Sequence, residues 1–292
     1  MSSSVLCLGT AQFGMSYGVA NGSGQVPRTD VSRILSYALA QGIAYLDTAI
    51  GYGDSEAILG EIGIGQFDVV TKLPSMPADV VDIKRWVADQ VSGCLDRLKQ
   101  KSLYGLLLHR SHDLQGAAGS ALADELSALK RRGFVEKIGV SIYNPPELES
   151  VIKVLDLDLV QAPLNLVDRR LVASGWLDRL KKMGVEVHTR SAFLQGLLLM
   201  SRERVPEKFE RWTGLWGSWA DSLQETGVSP LSACLAYPLS LRQVDRVVVG
   251  VDSLTQLEQL VHAAKQPLIE SHFDFMTMDD EQLIDPSRWS EL

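Results

Sequence analysis

Four residues with side chains suited to proton chemistry stand at the ends of three successive strand-like segments. The segment 43–46 is followed by Asp47, and Tyr52 comes five residues later. The next strand-like segment ends in Lys72, and the one after it ends in His109. In a barrel of parallel strands the carboxyl ends meet on one face, so we expect these four side chains around a single site. Together they make a proton donor and the groups that tune it.

The predicted chemistry is proton transfer by the tyrosine. A phenol with an ordinary pKa of about 10 is a poor acid at neutral pH. A nearby Lys72 ammonium favours the phenolate and is expected to lower the pKa of Tyr52, while Asp47 holds that ammonium in place. A neutral His109 can orient a carbonyl oxygen through a hydrogen bond. Side chains cannot supply hydride, so reduction of a carbonyl by this set requires a nicotinamide cofactor.

Each of the four residues also has a purely structural explanation. Asp47 and Lys72 alone would be an ion pair that closes the barrel. His109 would be a satisfied polar residue at the rim, and Tyr52 an ordinary loop tyrosine between two glycines. Their combination at successive strand ends favours the catalytic interpretation.

The elements that must position these residues alternate along nearly the whole chain. Short β-rich segments are separated by amphipathic ones, which indicates a parallel sheet with helices outside. Eight strand–helix units favour a closed (β/α)8 TIM barrel, an α/β fold, as a single domain over 1–292. The Rossmann alternative lacks a G-x-G-x-x-G loop after an early strand. The predicted strands are 5–9, 43–47, 67–72, 104–109, 137–142, 157–162, 185–189 and 246–251; the predicted helices are 30–41, 55–62, 79–99, 121–132, a segment from Pro145-Pro146 to 155, 171–183, 229–236 and 254–264.

Two stretches depart from this repeat. An insertion around 195–228 carries Trp212, Trp216 and Trp219, whose spacing places them on one helical face. Packing of this aromatic stripe on the barrel is favoured over a substrate-stacking role. A tail from about 267 either covers the barrel mouth or packs on its flank, and the sequence favours neither.

Composition excludes several classes of protein. The 292 residues carry 28 basic and 36 acidic side chains, a net charge of −8 without a basic face, which argues against nucleic acid as a partner. The N-terminus has no signal-peptide pattern, and no apolar run approaches the roughly 18 residues of a membrane span, so a cytoplasmic location is expected. The histidines and cysteines show no metal-ligand spacing, so no metal is predicted. The three separated cysteines are expected to be buried thiols in a reducing compartment; they are Cys7, Cys94 and Cys234.

Over residues 5 to 265 the chain resembles the aldo-keto reductases. The most specific piece is the segment 47–60, which reads Asp-Thr-Ala-x-x-Tyr-Gly-x-Ser-Glu-x-x-x-Gly, supported by Thr71-Lys72 and Leu108-His109. The resemblance implies Tyr52 as the general acid, Lys72 and Asp47 as its tuning pair, and His109 as the orienting group. It also implies NADP(H) or NAD(H) as cofactor and a small-molecule carbonyl compound as substrate.

The resemblance extends to positions that hold the cofactor. It implies contacts of Ser141 and Gln161 with the nicotinamide amide, although Ile142 replaces the Asn that usually follows that Ser. Arg190 falls where many members place Tyr or Arg against the nicotinamide ring. Ser191, Leu194 and Gly196 match the loop that faces the pyrophosphate. The last group, around the adenosine phosphate, comprises Gly250, Asp252, Ser253, Gln256 and Gln259.

The segment 250–259 bears on nucleotide preference. NADPH-dependent members generally offer Lys or Arg here, whereas the nearest charges in this chain are Asp252 and Glu258. A helix N-terminus at Ser253 still offers N–H groups to an anion. Carboxylates near a dianionic phosphate would repel it by about 1 kcal/mol or more. The sequence therefore predicts relaxed or NADH-leaning specificity.

The leading hypothesis is a reductase of an aldehyde, ketone or sugar-like substrate. A nucleotide-binding barrel that acts as a redox-responsive regulatory protein is the main alternative, and an isomerase or lyase ranks third. Arg169 and Arg170 are expected to face water, but an anionic or phosphorylated substrate is plausible if two of the positive groups near the mouth point inward. The sequence fixes neither the substrate nor the oligomeric state. The positive groups near the mouth are Arg110, His112, Arg169, Arg170 and Arg190.

Overall fold

The computed structural model describes residues 4–266 and 271–292 and contains a closed barrel of eight parallel strands. Each strand pairs with its neighbours in chain order, and β8 closes the ring against β1. The predicted (β/α)8 barrel is thereby confirmed. The strands are β1 (Leu6–Gly9), β2 (Tyr45–Asp47), β3 (Asp68–Leu73), β4 (Leu103–Leu108), β5 (Val135–Ser141), β6 (Leu159–Pro163), β7 (Glu186–Arg190) and β8 (Arg246–Gly250).

Helices lie between the strands and cover the barrel. Helix α4 shows why they form: Asp82 caps its N-terminus by accepting a hydrogen bond from the Arg85 N–H at 2.9 Å, and its buried face carries Val87, Val91 and Leu95. The helices are α1 (Ala11–Gly14), α2 (Arg28–Ala40), α3 (Ser55–Ile62), α4 (Ile83–Leu98), α5 (Ala117–Arg131), α6 (Leu148–Val151), α7 (Arg170–Ala173), α8 (Trp176–Lys182), α9 (Thr213–Thr226), α10 (Pro230–Ser240), α11 (Leu254–Ala263) and α12 (Glu281–Ile284).

One predicted helix is wrong as a continuous element. The segment 171–183 forms α7 and α8, which are separated at Gly175 because this residue adopts a left-handed conformation with φ 76°. The helix predicted after Pro145-Pro146 is a short 3₁₀ turn over Pro145–Glu147 followed by α6. Apolar periodicity places the buried face correctly in both cases but does not show the break.

The barrel interior is filled rather than hollow. Val70, Leu107 and Leu159 form an apolar cluster of their own, separate from the core between sheet and helices. At the amino-terminal end of the strands, Glu186 accepts a hydrogen bond from the Tyr104 hydroxyl at 2.7 Å and pairs with Lys137. Burial alone would raise the pKa of Glu186, but hydrogen bonds from three neighbours, His188 first, hold it well below its usual range. This lower polar cluster closes the barrel floor.

The insertion packs its tryptophans inward, as the favoured interpretation predicted. Trp212, Trp216 and Trp219 are all buried, and the indole N–H of Trp219 donates to the Leu198 carbonyl at 3.2 Å. The tail lies against this insertion: the Phe273 ring meets the Trp219 ring edge-on at 5.2 Å between centroids. The Met278 N–H also bonds the Val167 carbonyl at 2.9 Å, beside the loop after β6. Residues 267–270 of the predicted tail lie outside the described residues.

The cysteines lie in the interior of the protein. The three cysteines are buried and unpaired, as the sequence predicted. Within 4–266 and 271–292, the helices are all too short or too polar to cross a membrane. The same ranges hold no group of three or more His, Cys, Asp or Glu side chains arranged to bind a metal ion.

Candidate active site

The four predicted residues converge at the carboxyl end of the barrel. Asp47 is the last residue of β2, and Lys72 lies on β3, the neighbouring strand. His109 directly follows β4, where its N–H bonds the Leu73 carbonyl of β3 at 3.0 Å. Tyr52 lies in the loop between β2 and α3. The local alternation of side chains along parallel strands brings these residues to one face.

A buried ion pair forms the base of the site. The Lys72 Nζ donates to both Asp47 carboxylate oxygens, at 2.8 and 2.7 Å, and to the Thr48 carbonyl at 2.9 Å. Lys72 is 1% exposed and Asp47 is 4% exposed, so water cannot replace these contacts. Burial acts to lower the pKa of Lys72, but Asp47 and Tyr52 together outweigh it and raise that pKa. Lys72 therefore remains an ammonium.

Tyr52 lies between this ammonium and the histidine. The Lys72 Nζ is 5.1 Å from the centre of the Tyr52 ring, and the His109 ring stands edge-on to it at 5.9 Å between centroids. Burial raises the pKa of Tyr52 above its usual value, and Lys72 opposes this without reversing it. The sequence prediction of a lowered pKa was wrong in sign, because it weighed the ammonium and not the desolvation of a phenolate.

The histidine is held in its neutral form. Burial lowers the pKa of His109 to about 4, and the positive charges of Lys72 and Arg190 act in the same direction. At neutral pH the imidazole therefore carries one N–H and one free nitrogen. This is the protonation state that the sequence predicted for an orienting group.

The loop that carries Tyr52 is fixed by close backbone packing. A Cβ on Gly14 of α1 would lie 1.9 Å from the Tyr52 carbonyl oxygen, so only glycine fits there. Gly53 approaches the Gly14 carbonyl in the same way, with φ 52°. The Ser55 hydroxyl then anchors the start of α3 by donating to the Thr10 carbonyl at 2.9 Å. These contacts explain why small and hydroxyl residues follow the tyrosine.

The rest of the segment 47–60 joins the strands to the helices outside. Glu56 is buried, accepts a hydrogen bond from the Thr71 hydroxyl at 2.7 Å, and pairs with Arg97 of α4 at 2.8 Å. Gly60 lets α3 approach α4, since a Cβ there would lie 1.9 Å from the Arg97 carbonyl oxygen. The motif thus builds the support of the site as well as the site itself.

A cleft of about 470 Å³ extends from Tyr52 across the barrel mouth. Gln161 lies at its base, where the side-chain Nε2 donates to Asp47 Oδ1 at 2.6 Å. The other amide atom, Gln161 Oε1, is buried and has no hydrogen-bond partner among the described residues. A buried acceptor without a donor is costly, so this oxygen suits a ligand N–H.

The cleft brings together eight of the eleven residues predicted to bind a cofactor. Three others do not line it: Ser141 is 2% exposed at the end of β5, Leu194 packs in the core under the insertion, and Ser253 caps α11. Ile142, where Asn is usual, buries its side chain in the main core. The residues that do line the cleft are Gln161, Arg190, Ser191, Gly196, Gly250, Asp252, Gln256 and Gln259.

The loop after β7 has an unusual backbone. Ser191, Leu194, Gln195 and Gly196 all have positive φ, which costs a non-glycine residue roughly 1 kcal/mol or more. Across the cleft the Ala20 N–H bonds the Gln195 carbonyl at 3.3 Å. A strained loop that turns its backbone toward a cleft is typical of a ligand-binding segment.

The far end of the cleft is acidic. Asp252 accepts a hydrogen bond from the Asn21 amide at 3.3 Å, and its own N–H donates to Gln256 Oε1 at 2.7 Å. Burial raises the pKa of Asp252, and the Gln256 amide opposes this. Among the described residues that line the cleft, Arg190 is the only cation, and it lines the part near Tyr52.

Sequence reasoning missed the loop between β1 and α2. In this connection, Gln12 of α1 and Tyr17 and Asn21 after it line the cleft. The available signal was the cluster of Gly, Asn and Ser between 18 and 24, which is typical of a turn-rich loop. Tyr143 at the mouth was also missed, because a lone aromatic residue in a loop carries no pattern.

Arg169 and Arg170 do not face water as predicted. Their side chains are only 14% and 15% exposed. Arg169 pairs with Asp274 of the tail at 2.7 Å, and Arg170 pairs with Asp168 at 2.8 Å.

The arrangement can hold and release a proton at one phenol oxygen. Burial keeps the proton on Tyr52 at neutral pH, and the Lys72 ammonium stabilises the phenolate that forms when the proton leaves. The neutral His109 offers a hydrogen-bond donor beside it. Such a site suits a substrate whose oxygen becomes basic during the reaction.

Comparisons with known proteins agree with the barrel fold. The sequence profile described as the Aldo/keto reductase family matches residues 5–278. An uncharacterized oxidoreductase of Bacillus subtilis (strain 168), YqkF, is 25% identical over 254 residues, or 79% of this chain and 81% of that protein. Two solved structures share the fold, each covering 94% of this chain and 91% of their own with a TM-score of 0.73. They are the glycerol dehydrogenase AKR11B4 of Gluconobacter oxydans, 23% identical, and the holo form of aldo-keto reductase AKR11C1 from Bacillus halodurans, 21% identical.

Proposed function

This chain belongs to the aldo/keto reductase family, whose members reduce carbonyl compounds with a nicotinamide nucleotide, and we propose that Tyr52 is its proton donor. The observation that carries the proposal is the position of the Tyr52 ring, 5.1 Å from the Lys72 ammonium and edge-on to His109. An aldehyde, ketone or sugar-like carbonyl is the proposed substrate. The bound nucleotide supplies the hydride.

The chain's own residues hold the proton and transfer it to the substrate. Tyr52 holds it at the phenol oxygen, because burial raises its pKa. As negative charge develops on the substrate oxygen, the phenol gives up its proton, and Lys72 stabilises the phenolate left behind. His109, neutral with a pKa of about 4, donates a hydrogen bond that orients the same oxygen. Asp47 fixes Lys72 through both carboxylate oxygens.

The cleft residues fit a nicotinamide nucleotide. The unpartnered Gln161 Oε1 suits the carboxamide N–H of the nicotinamide. Gly250 leaves room beside the Gln12 side chain, which a Cβ would approach to 2.6 Å. The cleft-lining loop after β7 and the N-terminus of α11 would lie against the phosphates, and the positive end of the helix dipole favours their negative charge. Ser141, Leu194 and Ser253 stay predicted contacts without a place in the cleft lining.

The test of the reductase is turnover of a panel of carbonyl compounds with NADH or NADPH. The Tyr52→Phe variant keeps the ring and removes the acidic proton. The kcat should therefore fall by about 10²- to 10⁴-fold, the range typical of general acid catalysis. Retained activity in Tyr52→Phe contradicts the mechanism. Nucleotide binding without turnover in the parent protein would instead favour the regulatory alternative.

We further propose a preference for NADH. Asp252 lines the end of the cleft predicted to hold the adenosine, and the described lining residues there include no Lys or Arg. A carboxylate about 4 Å from a phosphate costs roughly 1 kcal/mol per charge pair even in water. NADH should therefore bind the parent protein more tightly than NADPH does. NADPH binding at least tenfold tighter than NADH would contradict the proposal.

A matched pair of variants locates the cause of that preference. Asp252→Asn removes the charge and keeps the oxygen that Asn21 contacts, so NADPH should bind about fivefold tighter, as expected for about 1 kcal/mol. Glu258→Gln makes the same charge change at an exposed position of α11 outside the cleft lining and should leave the ratio unchanged. The measurement is titration of each protein with both nucleotides, followed by nicotinamide fluorescence. Equal effects of the two variants would refute a local role of Asp252.

A further inference from the structure

Two arginines share one aromatic ring at the mouth of the site. The guanidinium carbon of Arg110 lies 4.5 Å from the centre of the Tyr143 ring, and that of Arg190 lies 4.4 Å from the same centre. Arg110 directly follows His109, and Arg190 lines the cleft beside Tyr52. Arginine stacks well on aromatic faces, which holds both side chains in place without neutralising either charge.

Neither guanidinium has a carboxylate partner within residues 4–266 and 271–292. Among the described residues, the Arg190 side chain donates to the Ile142 carbonyl at 3.0 Å and to the Ser191 hydroxyl at 3.2 Å. The Arg110 side chain forms no hydrogen bond or ion pair within this part of the chain, and only its backbone carbonyl accepts a bond, from the Asp113 N–H at 3.4 Å. The other three positive groups predicted near the mouth are already paired: Arg169 with Asp274, Arg170 with Asp168, and His112 with Asp113.

Two acidic residues close in sequence to Arg110 and Tyr143, Asp113 and Glu147, are engaged in other contacts. Glu147 accepts hydrogen bonds from the backbone N–H groups of Tyr143 and Asn144 and from the Ser111 hydroxyl. Asp113 accepts from the Met76 N–H at 3.3 Å and contacts His112 at 3.4 Å. Two like charges that are held together without a counter-charge repel each other, and a bound anion relieves this repulsion.

We propose that the substrate of this reductase carries an anionic group, a carboxylate or a phosphate monoester, which binds between Arg110 and Arg190 while its carbonyl faces Tyr52. The proposal rests on the proposed reductase function and names its substrate class. Guanidinium groups bind carboxylates and phosphates through paired N–H donors, which also fixes the orientation of the bound molecule. The anion would thus align the carbonyl with the phenol.

The experiment compares each anionic carbonyl compound with a neutral relative that lacks the charged group. One pair is 4-formylbenzoate and its methyl ester, which have nearly the same shape. The other is glyceraldehyde 3-phosphate and glyceraldehyde. For at least one pair, kcat/KM should be at least tenfold higher for the anion, and this ratio should fall as salt is added. The pair with the larger ratio identifies the anion as a carboxylate or a phosphate.

Arginine variants test the source of the ratio. In Arg110→Met the anion-to-neutral ratio should fall at least tenfold, and Arg110→Lys should restore part of it, since lysine keeps the charge but not the paired donors. Arg132→Met is the matched control, because the exposed Arg132 also stacks on an aromatic ring, Phe134 at 4.8 Å, and lies just before β5, at the amino-terminal end of the barrel. It should keep the parent ratio.

Parent ratios near one for both pairs would overturn the proposal, as would an equal loss in Arg110→Met and Arg132→Met. If no carbonyl compound is reduced, the proposed function fails, and the anion site is judged separately. Calorimetric titration with unreactive 4-methylbenzoate, with and without NADH, should then show binding that weakens at least tenfold in Arg110→Met. Absent or unchanged binding overturns the anion site as well.

Discussion

The buried pair of Asp47 and Lys72 gives a quantitative test of the energetics of the site. The two side chains are 4% and 1% exposed, so neither charge can find water if its partner is removed. Lys72→Met deletes both bonds to the carboxylate and leaves Asp47 with the Gln161 amide as its remaining donor. Asp47→Asn leaves the ammonium with the Thr48 carbonyl. Each single substitution therefore leaves one buried charge without its oppositely charged partner.

Each stranded charge should lower the free energy of unfolding by about 3–5 kcal/mol. The double variant strands none, because both charges are gone. It should cost less than the sum of the single variants by at least about 2 kcal/mol. An exposed pair offers the control: Arg179 and Glu149 lie 2.7 Å apart with side chains 45% and 57% exposed. Its own cycle should give a coupling of at most about 0.5 kcal/mol.

The assay is urea denaturation followed by tryptophan fluorescence for the four proteins of each cycle. Since the folded-state pKa of Lys72 is raised, its contribution is fully present below the unfolded-state pKa and is lost only as pH rises through the folded-state value. The coupling should therefore be the same at pH 7 and pH 8. Additive losses in the Asp47–Lys72 cycle would refute the argument that the pair is buried and interdependent.

Three further substitutions or titrations test other parts of the structure. Gly14→Ala places a Cβ 1.9 Å from the Tyr52 carbonyl oxygen, in the loop that carries the proposed acid. The kcat should therefore fall up to about 10²-fold while the circular dichroism spectrum stays unchanged. Gly214→Ala is the control, because a Cβ on Gly214 would meet open space, and it should leave kcat unchanged. With a pKa of about 4, His109 should stay neutral and keep kcat constant from pH 8 to pH 5. Its neutral form contributes to the free energy of unfolding above the unfolded-state pKa of about 6.5, and this contribution is lost as pH falls through 4. An NMR titration of the His109 ring with a midpoint above a pH of about 6 would contradict this. Phe273→Ala leaves a cavity at a fully buried position and should lower the free energy of unfolding, measured in urea, by about 3–5 kcal/mol. Phe275→Ala, at a partly exposed position, should lower it by about 0.5 kcal/mol or less. Similar losses in the two variants would mean that the tail does not pack against the insertion.

The sequence predicted the barrel and the neighbouring positions of Asp47 and Lys72, because both follow from local rules. Alternating strands and helices indicate parallel pairing, and the last inward residues of adjacent parallel strands must be close. The start and end of α3 were also predicted correctly, at Ser55 and Ile62. This helix is short, follows a glycine-containing turn and ends before another glycine, so its boundaries are visible in the sequence.

Other features depend on contacts that no local pattern shows. The sign of the Tyr52 pKa shift follows from how deeply the fold buries the phenol, which the sequence does not show. Arg169 appeared solvent-exposed because its partner, Asp274, lies 105 residues away in the tail. The sharing of Tyr143 by Arg110 and Arg190 joins the loops after β4 and β5 to the end of β7. Each of these is set by tertiary packing rather than by spacing.

The closed floor of the barrel determines how Tyr52, the proposed acid, regains its proton after each reaction. Below Tyr52 lie the Asp47–Lys72 pair, the apolar cluster of Val70, Leu107 and Leu159, and then the lower polar cluster around Glu186. Among the described residues, no side-chain hydrogen bond links the Asp47–Lys72 pair to the lower polar cluster across this apolar layer. Under the proposed mechanism each reduction removes one proton from Tyr52, and its replacement must come from solvent at the mouth, through the same opening that the product uses to leave. Tyr52 is thus reprotonated through the same opening by which the product leaves, after hydride transfer. A step after hydride transfer should therefore show a solvent deuterium isotope effect.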